Sequence, residues 1–197
     1  MIPGSLSDAH DETTKWIQNL KRFIVEKMGA DTNKNHVPTV GICFGHQILA
    51  KALGGMTQRN PEGGIVGMCE LFSENKEQKG LSLVCSHNDV VTRLPKNAVA
   101  LSEKSFVELA SYKHHETKKT WARTIQAHPE YDEHQLRSCA TCFLNGDIEK
   151  VNQIMGDVNW AEVERGSNVF WDETLQELFL EIVEFFFFNS IQQFSIF

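Results

Sequence analysis

Between Pro38 and Gly55 the chain changes period abruptly, and that change constrains the fold more than anything else in it. Val40-Gly41-Ile42 is a short apolar run of strand type, and it ends at Cys43. From Phe44 the apolar spacing becomes helical, and it stops at Gly54-Gly55. Strand, sharp turn and helix therefore follow one another with a thiol at the turn, the form of a nucleophile elbow. Gly41 and Gly45 flank that turn, where backbone comes too close to backbone for side chains to fit. A helix N-terminus favours thiolate over thiol, so Cys43 is expected to be more nucleophilic than a free cysteine. A lone cysteine in this position is more often a small buried hydrophobe. Its neighbours and a second site favour the reactive reading.

The second site is Gln126-Ala127-His128-Pro129-Glu130. The run Trp121 to Gln126 reads as a strand, so His128 falls just past a strand end. Residues two apart in extended backbone point the same way, and Pro129 biases His128 toward extended geometry. Glu130 can then reach one imidazole nitrogen while the other faces a thiol. Cys43, His128 and Glu130 thus form a candidate nucleophile, base and orienting acid.

Gly41-Ile-Cys-Phe-Gly-His-Gln47 with the later His128-Pro-Glu130 resembles the class I glutamine amidotransferase superfamily. Nucleophile, histidine and acid come in that order, unlike the serine, acid and histidine order of α/β-hydrolases. Pro3-Gly4-Ser5, then Asp8-Ala9-His10-Asp11 and Trp16-Ile17, is similar to the family's oxyanion loop and first surface helix. Ser86-His87-Asn88-Asp89-Val90 resembles the segment near the bound substrate. The likeness covers roughly residues 2–135. It is nearest to the stand-alone branch of plant γ-glutamyl peptidases and GMP synthase amidotransferase-like units. Ala127 stands where Gly is common, and Pro3 where Thr or Ser is usual.

The resemblance implies an α/β fold, a flavodoxin-like three-layer sandwich, and no cofactor. It implies attack of Cys43 on the γ-carbonyl of glutamine or a γ-glutamyl peptide. The oxyanion would be held by the Phe44 N–H and one from Gly4-Ser5, with Gln47 and His87 in the substrate pocket. His46 is expected to pack structurally. Three functions stay open: a γ-glutamyl hydrolase, a glutaminase subunit supplying ammonia to a separate synthase, and a non-catalytic relative acting in binding.

The rest of the chain bounds these readings. Its 197 residues suit one domain, residues 1–188, with an apolar tail at 189–197. A net charge of −7 without a basic block argues against nucleic acid. The run Phe185–Phe188 is far shorter than the ~20 residues of a membrane span. Five cysteines form no tight framework and no signal peptide is evident, which suits a reducing cytoplasmic setting. Cys139-Ala-Thr-Cys142 sits in a helical pattern and reads as buried packing. His10, His36, His114, His115 and His134 show no ligand spacing with carboxylates, so no metal site is expected.

Periodicity predicts a helix over Asp8–Met28 with Trp16, Leu20, Phe23, Ile24 and Met28 on one stripe, then a polar loop over 30–37. Strands are predicted near Ile65–Phe72, Gly80–Cys85, Val99–Ser102, Val107–Tyr112 and Trp121–Gln126. Glu133–Leu144 reads as a helix closed by Asn145-Gly146. One or two short helices over Ile148–Glu164 precede a last helix starting near Asp172, with Leu175, Leu178, Phe179, Ile182 and Val183 on one side. The sheet is expected to be largely parallel with helices on both faces.

The family's oxyanion-loop words begin at residue 2, so the domain is expected to lack its N-terminal βαβ unit of ~30 residues. The elbow strand would then expose an apolar edge. The chain should accordingly melt lower and aggregate more readily than one extended upstream; equal melting of the two would refute this.

Overall fold

The computed structural model describes residues 1–28, 37–71 and 80–174, with 176 and 178. Helix α1 spans Lys15–Phe23 and passes into a π-helical turn at Ile24–Met28. Strand β1 (Thr39–Ile42) feeds α2 (Phe44–Ala52). Then come β2 (Met56–Arg59), β3 (Ile65–Leu71), β4 (Leu81–His87) and β5 (Asp89–Arg93). Strands β6 (Ala98–Glu103), β7 (Val107–Lys113) and β8 (Thr120–Ile125) follow. Helices α3 (Glu133–Phe143), α4 (Ile148–Asp157) and α5 (160–174) close the described chain.

The main sheet runs β1-β8-β7-β5-β2, with β6 also paired to β7. The α/β expectation holds, but a largely parallel sheet does not. Among the described strand pairings only β1 with β8 is parallel, and the rest are antiparallel. The short links from β6 to β7 and from β7 to β8 allow only antiparallel return, whereas the parallel pair needs a long crossover. Strands β3 and β4 form a separate two-stranded ribbon, and β2 and β5 were not foreseen. The ribbon meets the main body through an isolated bridge from Val84 to His128.

Side chains alternate across the sheet with period two. Ala110 and Tyr112 of β7 and Ala122 of β8 face Ile17, Ile24, Ile48 and Leu49 of the first two helices. Leu109 and Ile125 face the other way, onto Leu83 of the ribbon and Phe170 of α5. A third cluster packs Leu136, Ala140, Val151, Met155 and Val163 on Val84. Helices thus lie on both faces, as expected.

Several local expectations need correcting. Helix α1 starts at Lys15 rather than Asp8, because the Asp11 carboxylate accepts the backbone N–H groups of Thr13 and Thr14 and holds a turn there. Its inner stripe is Ile17, Leu20, Ile24 and Met28, while Trp16 and Phe23 stand exposed. Helix α5 begins at residue 160, not near Asp172. Gly166 interrupts its sequence but not its backbone, for a Cβ there would lie 2.2 Å from the Ser82 carbonyl oxygen. Cys69 and Cys85 pair as a disulfide across β3 and β4, so the cysteines are not all free, contrary to expectation. Asp132 caps α3 in a capping box, and Asn145 and Gly146 close it at positive φ, as predicted. The loop at 30–36, Phe72, Leu175, Phe179, Ile182, Val183 and the 189–197 tail lie outside the described residues.

The elbow strand is not a bare edge. The Ile2 N–H donates to the Val40 carbonyl at 2.8 Å, and the Ile42 N–H donates to the Ile2 carbonyl at 3.0 Å. Thr39, Gly41 and Ile42 are buried and Val40 is half-buried.

His46 ties α2 to the sheet. Its Nε2 lies 3.0 Å from the Val107 carbonyl, which can only accept, so Nε2 carries the proton. Nδ1 then accepts from the Thr124 hydroxyl at 2.8 Å. Complete burial pushes this imidazole down to about 4, and burial holds His87 down to about 4 as well. A depressed folded value means stability that is present above the ordinary 6.5 and lost as pH falls through about 4. Urea titrations should therefore show stability falling between those limits, by up to roughly 3 kcal/mol for each histidine. His46→Gln should remove its share of that slope.

Candidate active site

Cys43 sits where β1 hands over to α2, with φ 49° and ψ −103°. A non-glycine residue holds this conformation only when its surroundings over-determine it. Here the Cys43 N–H donates to the Ile125 carbonyl at 2.8 Å, and the Gln47 N–H donates to the Cys43 carbonyl at 3.1 Å. The flanking glycines make room. A Cβ on Gly41 would lie 2.8 Å from Thr124 Cγ2, and one on Gly45 only 2.0 Å from the Ile2 carbonyl oxygen. The Phe44 N–H points at the cysteine sulfur. The Phe44 ring itself is buried in the core against Trp16.

His128 follows β8 and is fixed by its own N–H, which donates to the Val84 carbonyl at 2.8 Å. Its Nδ1 meets Glu130 Oε1 at 2.7 Å, the contact anticipated from the spacing of two. Tyr131 stacks on the imidazole, ring centroids 4.0 Å apart and 18° from parallel. Gly4 lies where the two halves meet: a Cβ there would stand 3.0 Å from His128 Cε1 and 3.7 Å from Cys43 Cβ. Cys43, His128, Glu130, Phe44 and Gly4 are thus brought together. Besides the Phe44 N–H, the sulfur meets the Ser86 carbonyl at 3.7 Å and Gln126 Nε2 at 3.8 Å. Among the described residues no hydrogen bond joins it to His128.

A cleft of about 380 Å³ opens beside the sulfur, lined by Ser5, Leu6, Cys43, Gln47, His87 and Phe143 among others. Gln47 does not face solvent: its Nε2 donates to the Asp89 carbonyl at 2.8 Å and to Gln126 Oε1 at 3.3 Å. His87 donates from Nδ1 to the same carbonyl at 3.1 Å. Ser5 is exposed at the rim and accepts the Ser7 N–H at 3.1 Å.

The resting charge on Cys43 differs from expectation. Burial pushes the thiol up to about 12, the Glu130, Cys139 and Asp89 charges act the same way, and the Phe44 N–H opposes them. The helix N-terminus does not outweigh desolvation of an anion. His10 also departs from the sequence reading. Ligand atoms of Asp8, His10 and Asp89 lie within 4.8 Å of one another. Arg59 already lies among them, 3.0 Å from Asp8 and 3.2 Å from Asp89. Of the Cys-x-x-Cys pair, Cys142 is exposed, and Cys139 is half-buried with its sulfur 3.0 Å from Ser86 Oγ.

Gln126 and Ser86 lie in the two stretches singled out from the sequence, but no role was foreseen for either, and Tyr131 and Arg59 were not anticipated at the site. Gln126 had a usable signal, since it stands two residues before His128 in extended chain. Tyr131 stands three residues after the histidine that it stacks on, while Ser86 and Arg59 arrive through long-range contacts.

The sequence model of the family Glutamine amidotransferase class-I matches residues 13–139. The chain is 32% identical over 184 residues to γ-glutamyl peptidase 4 of Arabidopsis thaliana, covering 88% of this chain and 69% of that protein. It is 36% identical over 117 residues to a glutamine-hydrolyzing GMP synthase subunit of Methanothermobacter thermautotrophicus, covering 57% of this chain and 60% of that protein. Against other curated relatives it spans about half their length, 52% and 55% in two cases. A glutamine amidotransferase crystal structure from Thermotoga maritima superposes with TM-score 0.59 at 24% identity, covering 92% of this chain and 76% of that one. One from Methylobacillus flagellatus gives 0.59 at 18% identity, covering 92% and 74%. At those identities the likeness establishes the fold.

Gly45→Ala tests how the elbow is held. The added methyl must displace the Ile2 carbonyl, and overpacking of this kind costs about 1–3 kcal/mol. Urea unfolding should register that loss. Exchange of the Ile42 amide hydrogen, which is bonded to Ile2, should speed up relative to its β8 neighbours.

Proposed function

We propose that this chain, which belongs to the glutamine amidotransferase class I family, is a cysteine-nucleophile hydrolase of γ-glutamyl amide or γ-glutamyl peptide bonds. The observation that carries this reading is the 2.7 Å His128–Glu130 contact beside the positive-φ Cys43, with Gly4 lying against both His128 and Cys43.

In this reading Glu130 accepts the Nδ1–H of His128, which leaves Nε2 as the proton acceptor. The thiol rests protonated, so attack on the γ-carbonyl is coupled to transfer of its proton to Nε2. The new S–C bond drives electrons onto the carbonyl oxygen. That oxyanion is held by the Phe44 N–H and a backbone N–H of the Gly4-Ser5 loop. The imidazolium then protonates the leaving nitrogen, and the C–N bond breaks to give a γ-glutamyl thioester. Water, deprotonated by His128, attacks the thioester and returns the thiol. Gln47 and His87 line the cleft where the glutamyl group would lie.

A second reading has a specific observation behind it. Likeness to a glutamine-hydrolyzing GMP synthase subunit favours a glutaminase unit that hands ammonia to a separate synthase. The longer match to a γ-glutamyl peptidase, over 88% of this chain, favours the first. The chemistry at Cys43 is the same in both; only the leaving group differs. We place either activity in the cytoplasm, where the Cys69–Cys85 disulfide would face a reducing poise. Among the described residues no helix is long and apolar enough to cross a membrane.

Incubation with glutamine and with γ-glutamyl peptides such as glutathione conjugates, followed by mass, separates these readings. Release of peptide-derived amine selects the first and ammonia from glutamine the second. Turnover of neither would overturn both. Cys43→Ala should abolish turnover, and Glu130→Gln should lower kcat by roughly 10²–10⁴-fold with KM little changed.

A further inference from the structure

Gln126 is 1% exposed, and its whole amide is spent inside the protein. Its backbone N–H donates to the Glu108 carbonyl at 2.8 Å, which fixes the end of the strand run. Its side chain lies between Gln47 and the sulfur of Cys43. The direction of that chain of bonds is forced. The Asp89 main-chain carbonyl can only accept, so the Gln47 group 2.8 Å from it is the amide nitrogen. The second N–H of the same nitrogen meets Gln126 at 3.3 Å, which must therefore present its oxygen. The nitrogen of Gln126 is then left facing Cys43 Sγ, at 3.8 Å. A main-chain carbonyl on β5 thus determines that the sulfur sees a donor.

That arrangement fits a sulfur that gains charge. The thiol proton has its own acceptor in the Ser86 carbonyl at 3.7 Å. A donor on the other side adds little to a neutral thiol, a weak acceptor, but much to a thiolate. We propose that Gln126 is a further catalytic residue, whose amide N–H stabilises the Cys43 sulfur as it becomes anionic, and that Gln47 positions it. The proposal rests on Cys43 being the nucleophile. It gives Gln47 a second task besides lining the cleft.

The groups that bear on the sulfur are His128, Glu130 and Tyr131 after β8, Asp89 of β5, His87 of β4 and Cys139 of α3. All are retained when Gln126 is changed. The test is the alkylation rate of Cys43 by iodoacetamide between about pH 6 and 10, read from the mass of its peptide. Exposed Cys142 is the internal standard. Gln126→Met should slow Cys43 by roughly five- to tenfold at pH 8 and move its profile to higher pH, with Cys142 unchanged. Gln126→Glu, nearly isosteric, should slow it further because a carboxylate then faces the sulfur. Gln47→Met, which frees Gln126 to turn, should give part of the effect and stands in if neither variant folds. Wild-type rates at every pH in the folded variants would overturn the proposal. Alkylation needs no substrate, so the proposed hydrolysis could fail while the role of Gln126 at the sulfur held, and the reverse outcome is equally visible.

Discussion

The parallel register of β1 on β8, Thr39 against Ala122 through Ile42 against Ile125, is the constraint on which the site depends. Parallel strands end together. The last hydrogen bond of that ladder, from Cys43 N–H to the Ile125 carbonyl, therefore puts the elbow level with the start of Gln126-Ala127-His128. Open α/β sheets carry their sites at such carboxyl ends. No antiparallel pairing of these strands would bring the thiol and the imidazole to one edge. The rest of the sheet could be antiparallel, and is, without cost to that meeting.

The polar interior around the elbow is built by partners that leave little freedom. His46 has an acceptor on one side and a hydroxyl on the other, so it stays neutral and holds α2 in place. Gln47 and His87 both donate to a single carbonyl of Asp89. Buried polar groups are costly when unpaired and rigid when paired. The same burial that orders the site raises the thiol, so the proposed mechanism draws on groups that act at the moment of proton transfer rather than on a resting anion.

What could be read from the sequence was what neighbours along the chain decide. The glycines around Cys43, the spacing of two between His128 and Glu130, and the Asn145-Gly146 stop are local signals with local physical causes. Helix α1 shows the limit of that approach. Trp16, Ile17, Leu20, Phe23 and Ile24 offer two apolar phases, and only burial in the core with Ile48 and Leu49 selects the one through Ile17. Gly166 lies within α5 because the Ser82 carbonyl leaves no room for a side chain there, a contact between segments far apart in sequence. The disulfide between Cys69 and Cys85, the Arg59 contacts and the Gln47–Gln126 chain join distant segments, and no periodicity encodes them.

The β3–β4 ribbon has a consequence that reaches beyond its own strands. Its outer end carries Ser86 and His87 into the cleft, and its middle is gripped by α4 and α5 through Val151, Met155, Val163 and the Gly166 contact. Those two helices lie past residue 139, where the match to the family ends. One side of the cleft is therefore borne by helices outside the stretch that the family model matches. The shape of the cleft beside Cys43 thus rests on packing far along the chain from the elbow and the His128 segment, and not on the motif residues alone.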